Sequence, residues 1–390
     1  MSRPIAPYEG SRARRFLLPV LSLCVGTSLA LAMAEGAFRG LALRAPEVGR
    51  IFRISNGADI HFPGRAGHVV IDLYRSNPRQ SFPVDLNLEE TRLRLTREKF
   101  TRIDEARTTN PYGVPFTYNS RGFRDREFTA KLGNVRRVVF VGDSFTEALG
   151  VVQDATAARR TEALLKRNDP KVETWNLGVR ALDFPDLERI FDAAFELSPD
   201  AIIYGMVLND GDRDEALAKR WPRLNDWIMV RQEKPSWLER HSYAFSYLSY
   251  RLEAWEVSRD TTAWYRSIYS DENRAGWMRT RAAWLRIEAK CRAQGISFGV
   301  ALWPLLVGLE REGAYPFETV HTQIRRGVER SHLEFMDLLP ALRGHDPPSL
   351  WVHPSDLHPN EIAQTLVAPA LAEFARRLLG KPISLGSVAK

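Results

Sequence analysis

The run Val138 to Val141, followed at once by Gly142-Asp143-Ser144, constrains this chain more than any other stretch. Four apolar residues in a row, three of them β-branched, fit a strand buried on both faces of a parallel sheet, because a half-exposed strand would alternate with polar residues. Open α/β sheets build their sites at the carboxyl ends of such strands. Ser144 is therefore a candidate nucleophile. Asp and Ser also suit a capped turn for local hydrogen-bonding reasons, so this stretch alone leaves both readings open.

A chain of 390 residues can bury a full core, and its 44% hydrophobic and 26% charged content is that of a globular protein. The net charge is +7, but the basic residues are scattered rather than gathered into a stripe. Scattered arginine reads as a solvated face, so no nucleic-acid partner is expected. Cys24 lies in an apolar N-terminal stretch and Cys291 in a helical pattern far downstream. No structural disulfide is expected, and no cysteine or histidine spacing suggests a zinc site.

Residues 1–15 are polar and include Arg12, Arg14 and Arg15; Phe16 to Ala34 then carries no charge. That run is long enough to cross a bilayer, so residues 16–38 read as an anchor. The preceding arginines place the N-terminus in the cytoplasm and the rest of the chain outside. A cleaved signal peptide is the competing reading, because Ala32-Met33-Ala34 fits an A-x-A site. Either way the main domain is exported, as a single-pass protein of the cytoplasmic (inner) membrane on the anchor reading. Residues 41–132 read as an N-terminal extension with several turn signals.

From Arg136 the pattern alternates. Strands are expected at Val138–Val141, Val172–Asn176, Ala201–Val207, Phe298–Leu302 and Leu333–Met336, with helices at Thr156–Arg167, Leu187–Leu197 and from Asn360 to Leu379. Alternating β and α elements with parallel crossovers imply a three-layer α/β/α domain, here 133–380. An insertion at 211–285 interrupts it and is dense in aromatics from Trp221 to Trp284. Two readings fit the insertion: a helical unit with its own small core, or a platform over the strand ends.

Three more stretches fall at the same sheet edge as Ser144. They are Asn176-Leu177-Gly178 after the second strand, Leu208-Asn209-Asp210 after the third, and Asp356-Leu357-His358-Pro359-Asn360 near the C-terminus. Gly178 lets the backbone approach a ligand and offer its N–H. Asn209 supplies a neutral amide. Residues two apart in extended chain share a side, which puts Asp356 beside His358. Nucleophile, base, orienting acid and oxyanion donors are what acyl transfer requires. In that scheme His358 takes the Ser144 proton, Asp356 holds the imidazole, and the Ser144 and Gly178 N–H groups with the Asn209 amide receive the oxyanion.

These four blocks, Gly142-Asp143-Ser144-Phe145, Asn176-Leu177-Gly178, Leu208-Asn209-Asp210 and Asp356-Leu357-His358-Pro359-Asn360, resemble the SGNH (GDSL-type) hydrolase superfamily. Asn119-Ser120-Arg121-Gly122-Phe123-Arg124-Asp125 also resembles a lead-in common among its membrane-anchored members. The resemblance covers about residues 117 to 380. It implies a flavodoxin-like five-stranded parallel sheet of order 2-1-3-4-5, no metal and no cofactor. It also implies hydrolysis of a carbohydrate or lipid ester through an acyl-enzyme on Ser144, with Asp143 and Phe145 flanking the substrate. An O-acyltransferase would use the same residues, and a catalytically inactive polysaccharide- or partner-binding module would keep the fold. Val207 stands where the family usually has glycine, and Ser355 where it often has aspartate. Gly295-Ile296-Ser297-Phe298-Gly299 matches the G-x-S-x-G of α/β-hydrolases. That motif needs a strand running into the serine, whereas here a strand follows it. His353 is expected to be a loop or rim residue.

Overall fold

The computed structural model describes residues 10–44, 108–109, 114, 116–179, 187–220, 237–353 and 356–380. The described residues fall into two compact units, Met1–Gly67 with Val230–Ala254 and His68–Met229 with Trp255–Lys390.

In the first unit, helix α1 runs from Gly10 to Arg44. Its segment Pro19–Leu41 is 23 residues long with mean hydropathy 1.6, and none of it is buried. At 1.5 Å per residue this spans about 35 Å, enough to cross a bilayer core. The Ala32-Met33-Ala34 sequence lies inside the continuous helix. The next residue, Glu35, accepts hydrogen bonds from Ser242 Oγ (2.7 Å) and from the N–H groups of Tyr243 (3.0 Å) and Ala244 (3.1 Å). Those N–H groups open a helix at Tyr243, where the first turn has no partners of its own and the helix dipole favours a carboxylate.

The second unit is built on five parallel strands: β1 (Arg136–Gly142), β2 (Val172–Gly178), β3 (Ala201–Met206), β4 (Ser297–Leu302) and β5 (Glu334–Asp337). Their order is β2-β1-β3-β4-β5, the flavodoxin-like order that the resemblance implies. All six residues of β3 are buried, as are the last six of β1, which is why both read as unbroken apolar runs. Helix α2 (Ser144–Glu147) and helix α3 (Ala157–Lys166) follow β1, helix α4 (Leu187–Phe195) follows β2, and helices α5 (Glu215–Arg220), α6 (Trp237–His241), α7 (Tyr243–Ile268) and α8 (Arg274–Ala293) lie between β3 and β4. Helix α9 (Glu318–Arg330) precedes β5. The chain then forms helix α10 (Leu339–Leu342), a hairpin of β6 (Trp351–His353) with β7 (Asp356–Pro359), and helix α11 (Glu361–Leu379). Helices α3 and α11 pack on one face of the sheet. On the other face Phe191 of α4 meets Tyr204 and Phe298 edge-on at 6.2 and 5.3 Å.

Two expectations change. Among the described residues, Trp264, Tyr269 and Trp284 of the insertion do not form a separate core but are buried in that of the main sheet. Tyr269 is tied there by a hydrogen bond from its hydroxyl to the Leu208 carbonyl at 2.9 Å. Trp221 and Trp227 lie outside the described residues. The arginines are not all solvated either. Arg124 and Arg137 are fully buried, and the guanidinium groups of Arg126, Arg137 and Arg159 approach the Trp175 ring at 4.4 to 5.7 Å. Ser297 pairs with Ala201 at the amino end of the sheet, the wrong edge for the G-x-S-x-G chemistry.

Gly142, Gly178 and Gly205 share one register row at the carboxyl edge. A Cβ on Gly178 would lie 2.1 Å from the Glu147 nitrogen, and one on Gly142 would lie 2.2 Å from Thr146 Oγ1. Helix α2 therefore rests directly on bare backbone. Gly178→Ala is expected to cost about 1–3 kcal/mol, the usual penalty for overpacking a rigid contact. A lower urea midpoint at unchanged slope would report it, and an unchanged midpoint would show that α2 yields freely.

Candidate active site

Asp143 and Ser144 serve both purposes that the sequence left open. Asp143 is the N-cap of α2, and its Oδ1 accepts the Phe145 N–H at 2.9 Å. The cap sets Ser144 as the first helical residue, with its Oγ 2.7 Å from His358 Nε2. These two atoms come from positions 214 residues apart.

The turn is held at its other end by Arg124. Its buried guanidinium donates to the carbonyls of Glu147 (3.0 Å), Ala148 and Val151. Ala148 closes α2 in the left-handed region, at φ 60°. A helix leaves its last carbonyls without partners, and here a buried cation supplies them. Asp125, the neighbour of Arg124, accepts the Asn176 N–H at 2.6 Å and a bond from Arg159 at 3.0 Å. Asn119 folds the segment back on itself by accepting the N–H groups of Arg121 and Phe123. The lead-in segment is thus a brace for the serine turn.

His358 lies on β7, and the hairpin is secured by Asn360. The Asn360 amide donates to the carbonyls of Ser349 (2.8 Å) and Trp351 (3.1 Å), while its oxygen caps α11. The Phe145 ring lies 5.5 Å from the His358 ring and meets Trp303 edge-on at 5.9 Å. The backbone of Asp356 pairs with His353. The side chains of Asp356 and His353 lie outside the described residues.

Asn209 sits between two buried carboxyls. Its amide nitrogen is 3.4 Å from Asp143 Oδ2 and 3.4 Å from Asp210 Oδ1. Asp210 also receives the Tyr204 hydroxyl at 2.7 Å and the Val207 N–H at 3.0 Å. Burial raises Asp143 to about 6, although the Phe145 N–H and His358 favour its charged form. Burial and the charge of Asp143 push Asp210 well above the usual carboxylate range. The Asn209 amide nitrogen is shared between these two carboxyls. Gly178 reaches the same edge, but its N–H donates to Asn176 Oδ1 at 2.8 Å, while Asn176 Nδ2 donates to the Thr146 carbonyl.

Ser144, His358, Asp143, Phe145 and Asn209 are therefore brought together, and Gly178 abuts the same turn. Sequence reasoning missed the clamp by Arg124, the bridge by Asn176 and the packing of Trp303 on Phe145. The first two fall in quoted blocks, Asn119 to Asp125 and Asn176 to Gly178, whereas Trp303 had no signal.

No protein-family model matches the chain, and no curated protein matches it. Among solved structures the chain is similar to LAE5, an alpha/beta hydrolase enzyme from the metagenome of Lake Arreo, at 15% identity over 65% of this chain and 100% of that one, with a TM-score of 0.39. It is similar to Axe2, an acetylxylan esterase from Geobacillus stearothermophilus, at 14% identity over 65% and 97%, with a TM-score of 0.38. A protein assigned to the G-D-S-L lipolytic family from Desulfitobacterium hafniense DCB-2 matches at 13% identity over 61% and 98%, with a TM-score of 0.36. Similarity at this level assigns no activity, so function has to be argued from the site.

Arg124→Ala removes three hydrogen bonds to buried carbonyls and is expected to destabilise the protein by on the order of 3 kcal/mol. Denaturant unfolding would measure it, and a loss under 1 kcal/mol would mean that the clamp is dispensable. Asp143 supplies a pH signature. A carboxyl raised on folding binds its proton in the native state first, so its contribution to stability falls as pH rises from about 4 to 6. The stability difference between wild type and Asp143→Asn should shift in wild type's favour as pH is lowered through that window. A difference flat with pH would refute the raised carboxyl.

Proposed function

We propose that this chain is a serine esterase of the SGNH type, held in the cytoplasmic membrane by α1 with its catalytic unit on the outer side. The observation that carries the reading is the 2.7 Å contact between Ser144 Oγ and His358 Nε2 at the carboxyl edge of the parallel sheet. That is hydrogen-bond distance between a nucleophile and its general base.

In the reaction, Ser144 Oγ attacks the ester carbonyl carbon and His358 Nε2 takes the hydroxyl proton. The oxyanion of the tetrahedral intermediate meets the Ser144 backbone N–H and the Asn209 amide. Gly178 joins them once Asn176 releases its N–H. Collapse expels the alcohol, which receives the proton from His358, and leaves an acyl group on Ser144. Water, deprotonated by His358, then attacks the acyl carbon and frees the acid. Asp356 is assigned to hold the imidazole in the required tautomer. Transfer to a sugar hydroxyl in place of water would use the same steps. The ester is one on a carbohydrate or lipid, and no metal or cofactor takes part.

A fluorophosphonate probe should label the full-length wild-type chain in detergent and fail to label Ser144→Ala or His358→Ala. Turnover of an acetyl ester should fall on the order of 10⁶-fold in either variant. Asn209→Ala should lose about 10²–10³-fold in kcat, the usual effect of one oxyanion donor. A folded wild-type chain that takes up no probe would sink the esterase reading in favour of a binding module. Enzymatic reporters fused at the C-terminus would test the membrane sidedness, and activity on the cytoplasmic side would overturn it.

A further inference from the structure

A cavity of about 520 Å³ opens in the second unit, walled by α7, the loop between β4 and α9, the segment after α10, and Trp351 of β6. We propose that it is a binding subsite for a neutral saccharide, carrying the sugar part of the substrate beside the serine–histidine pair. The subsite's role rests on the esterase reading, but its ability to bind does not.

The position comes first. Trp351 lines the cavity and pairs with Pro359, the residue that follows His358. Its indole nitrogen donates to the Leu306 carbonyl at 2.7 Å, and its own carbonyl accepts from Asn360 at 3.1 Å. The ring is thus a fixed wall on the hairpin that carries the base. Tyr265 also lines the cavity and is locked edge-on against the buried Phe317 at 5.5 Å. Tyr265 and Trp351, both half-buried, thus offer held apolar surface without a large ordering cost.

The polar groups decide the ligand class. Glu310 and Asp346 stand at the cavity with exposed carboxylates, and no lysine, arginine or histidine among the described residues lines it. An anionic ligand would meet two like charges. An acyl chain would have to displace water from two carboxylates. A neutral sugar suits both kinds of surface: its C–H faces pack on the rings, and its hydroxyls donate charge-assisted bonds to the carboxylates. The volume lies in the usual range for small-molecule sites.

The test is calorimetric titration of the full-length Ser144→Ala chain in a polyoxyethylene detergent, which carries no sugar headgroup. The probes are xylotriose, cellotriose, maltotriose and chitotriose, with trigalacturonate, trilysine and octanoate as contrasts. At least one neutral trisaccharide should bind with a millimolar or tighter Kd, and Trp351→Ala should weaken it at least fivefold. Should Trp351→Ala lower the thermal midpoint, the isosteric Asp346→Asn and Glu310→Gln, each expected to weaken binding at least threefold, carry the test. No binding by any neutral trisaccharide, stronger binding of trilysine or octanoate, or binding unchanged in all three variants would overturn the proposal. Saccharide binding lost in those variants, in a chain whose wild type takes no fluorophosphonate, would uphold the subsite and reject the esterase reading alone.

Discussion

Helix α2, one turn long, sits against backbone rather than against side chains, and the candidate site depends on that contact. Because Gly142 and Gly178 bring no Cβ to the register row beneath it, the turn can drop onto the carboxyl edge of the sheet. Four residues cannot hold a helix by their own hydrogen bonds. The turn persists because both of its ends are satisfied from outside: the amino end by Asp143, and the carboxyl end by Arg124. Ser144 is positioned by what surrounds the turn more than by the turn itself.

The charge arrangement follows from the same close packing. Water is excluded from Asp143, Asn209 and Asp210, so burial disfavours the charged form of both carboxyls. The Asn209 amide is held in place by that pair, its nitrogen shared between the two side chains. The arginines show a related economy. Arg124 is buried among carbonyls that accept from it, and Arg137 among carbonyls and the Glu173 carboxylate.

Around this centre the chain adds features that an unadorned five-stranded sheet would lack. Helix α1 is long and apolar enough to cross a membrane. The insertion between β3 and β4 sends Trp264, Tyr269 and Trp284 into the main core, so it is part of the fold rather than an appendage. Its anchored helix α7 then contributes Tyr265 to the wall of an open cavity. A rigid scaffold extended in this way can add recognition surface without disturbing the sheet.

Much of this was legible along the chain. Strand period and burial are local properties, so the five strands, the parallel class and the carboxyl-edge location of Ser144, Asn209 and His358 could be read from apolar runs and the polar residues that end them. The final helix near Asn360 was equally local. The depth of Arg124, the engagement of the Gly178 N–H by Asn176, and the merging of the insertion's aromatics with the sheet core were not. The lead-in block marks the segment but does not say that Arg124 is buried while Arg121 pairs with Glu196 near the surface, because the partners of Arg124 are carbonyls more than twenty residues away. A side chain's type and spacing are written in the sequence. Which backbone groups are left needing it, and whether water can reach them, is decided only when distant segments pack.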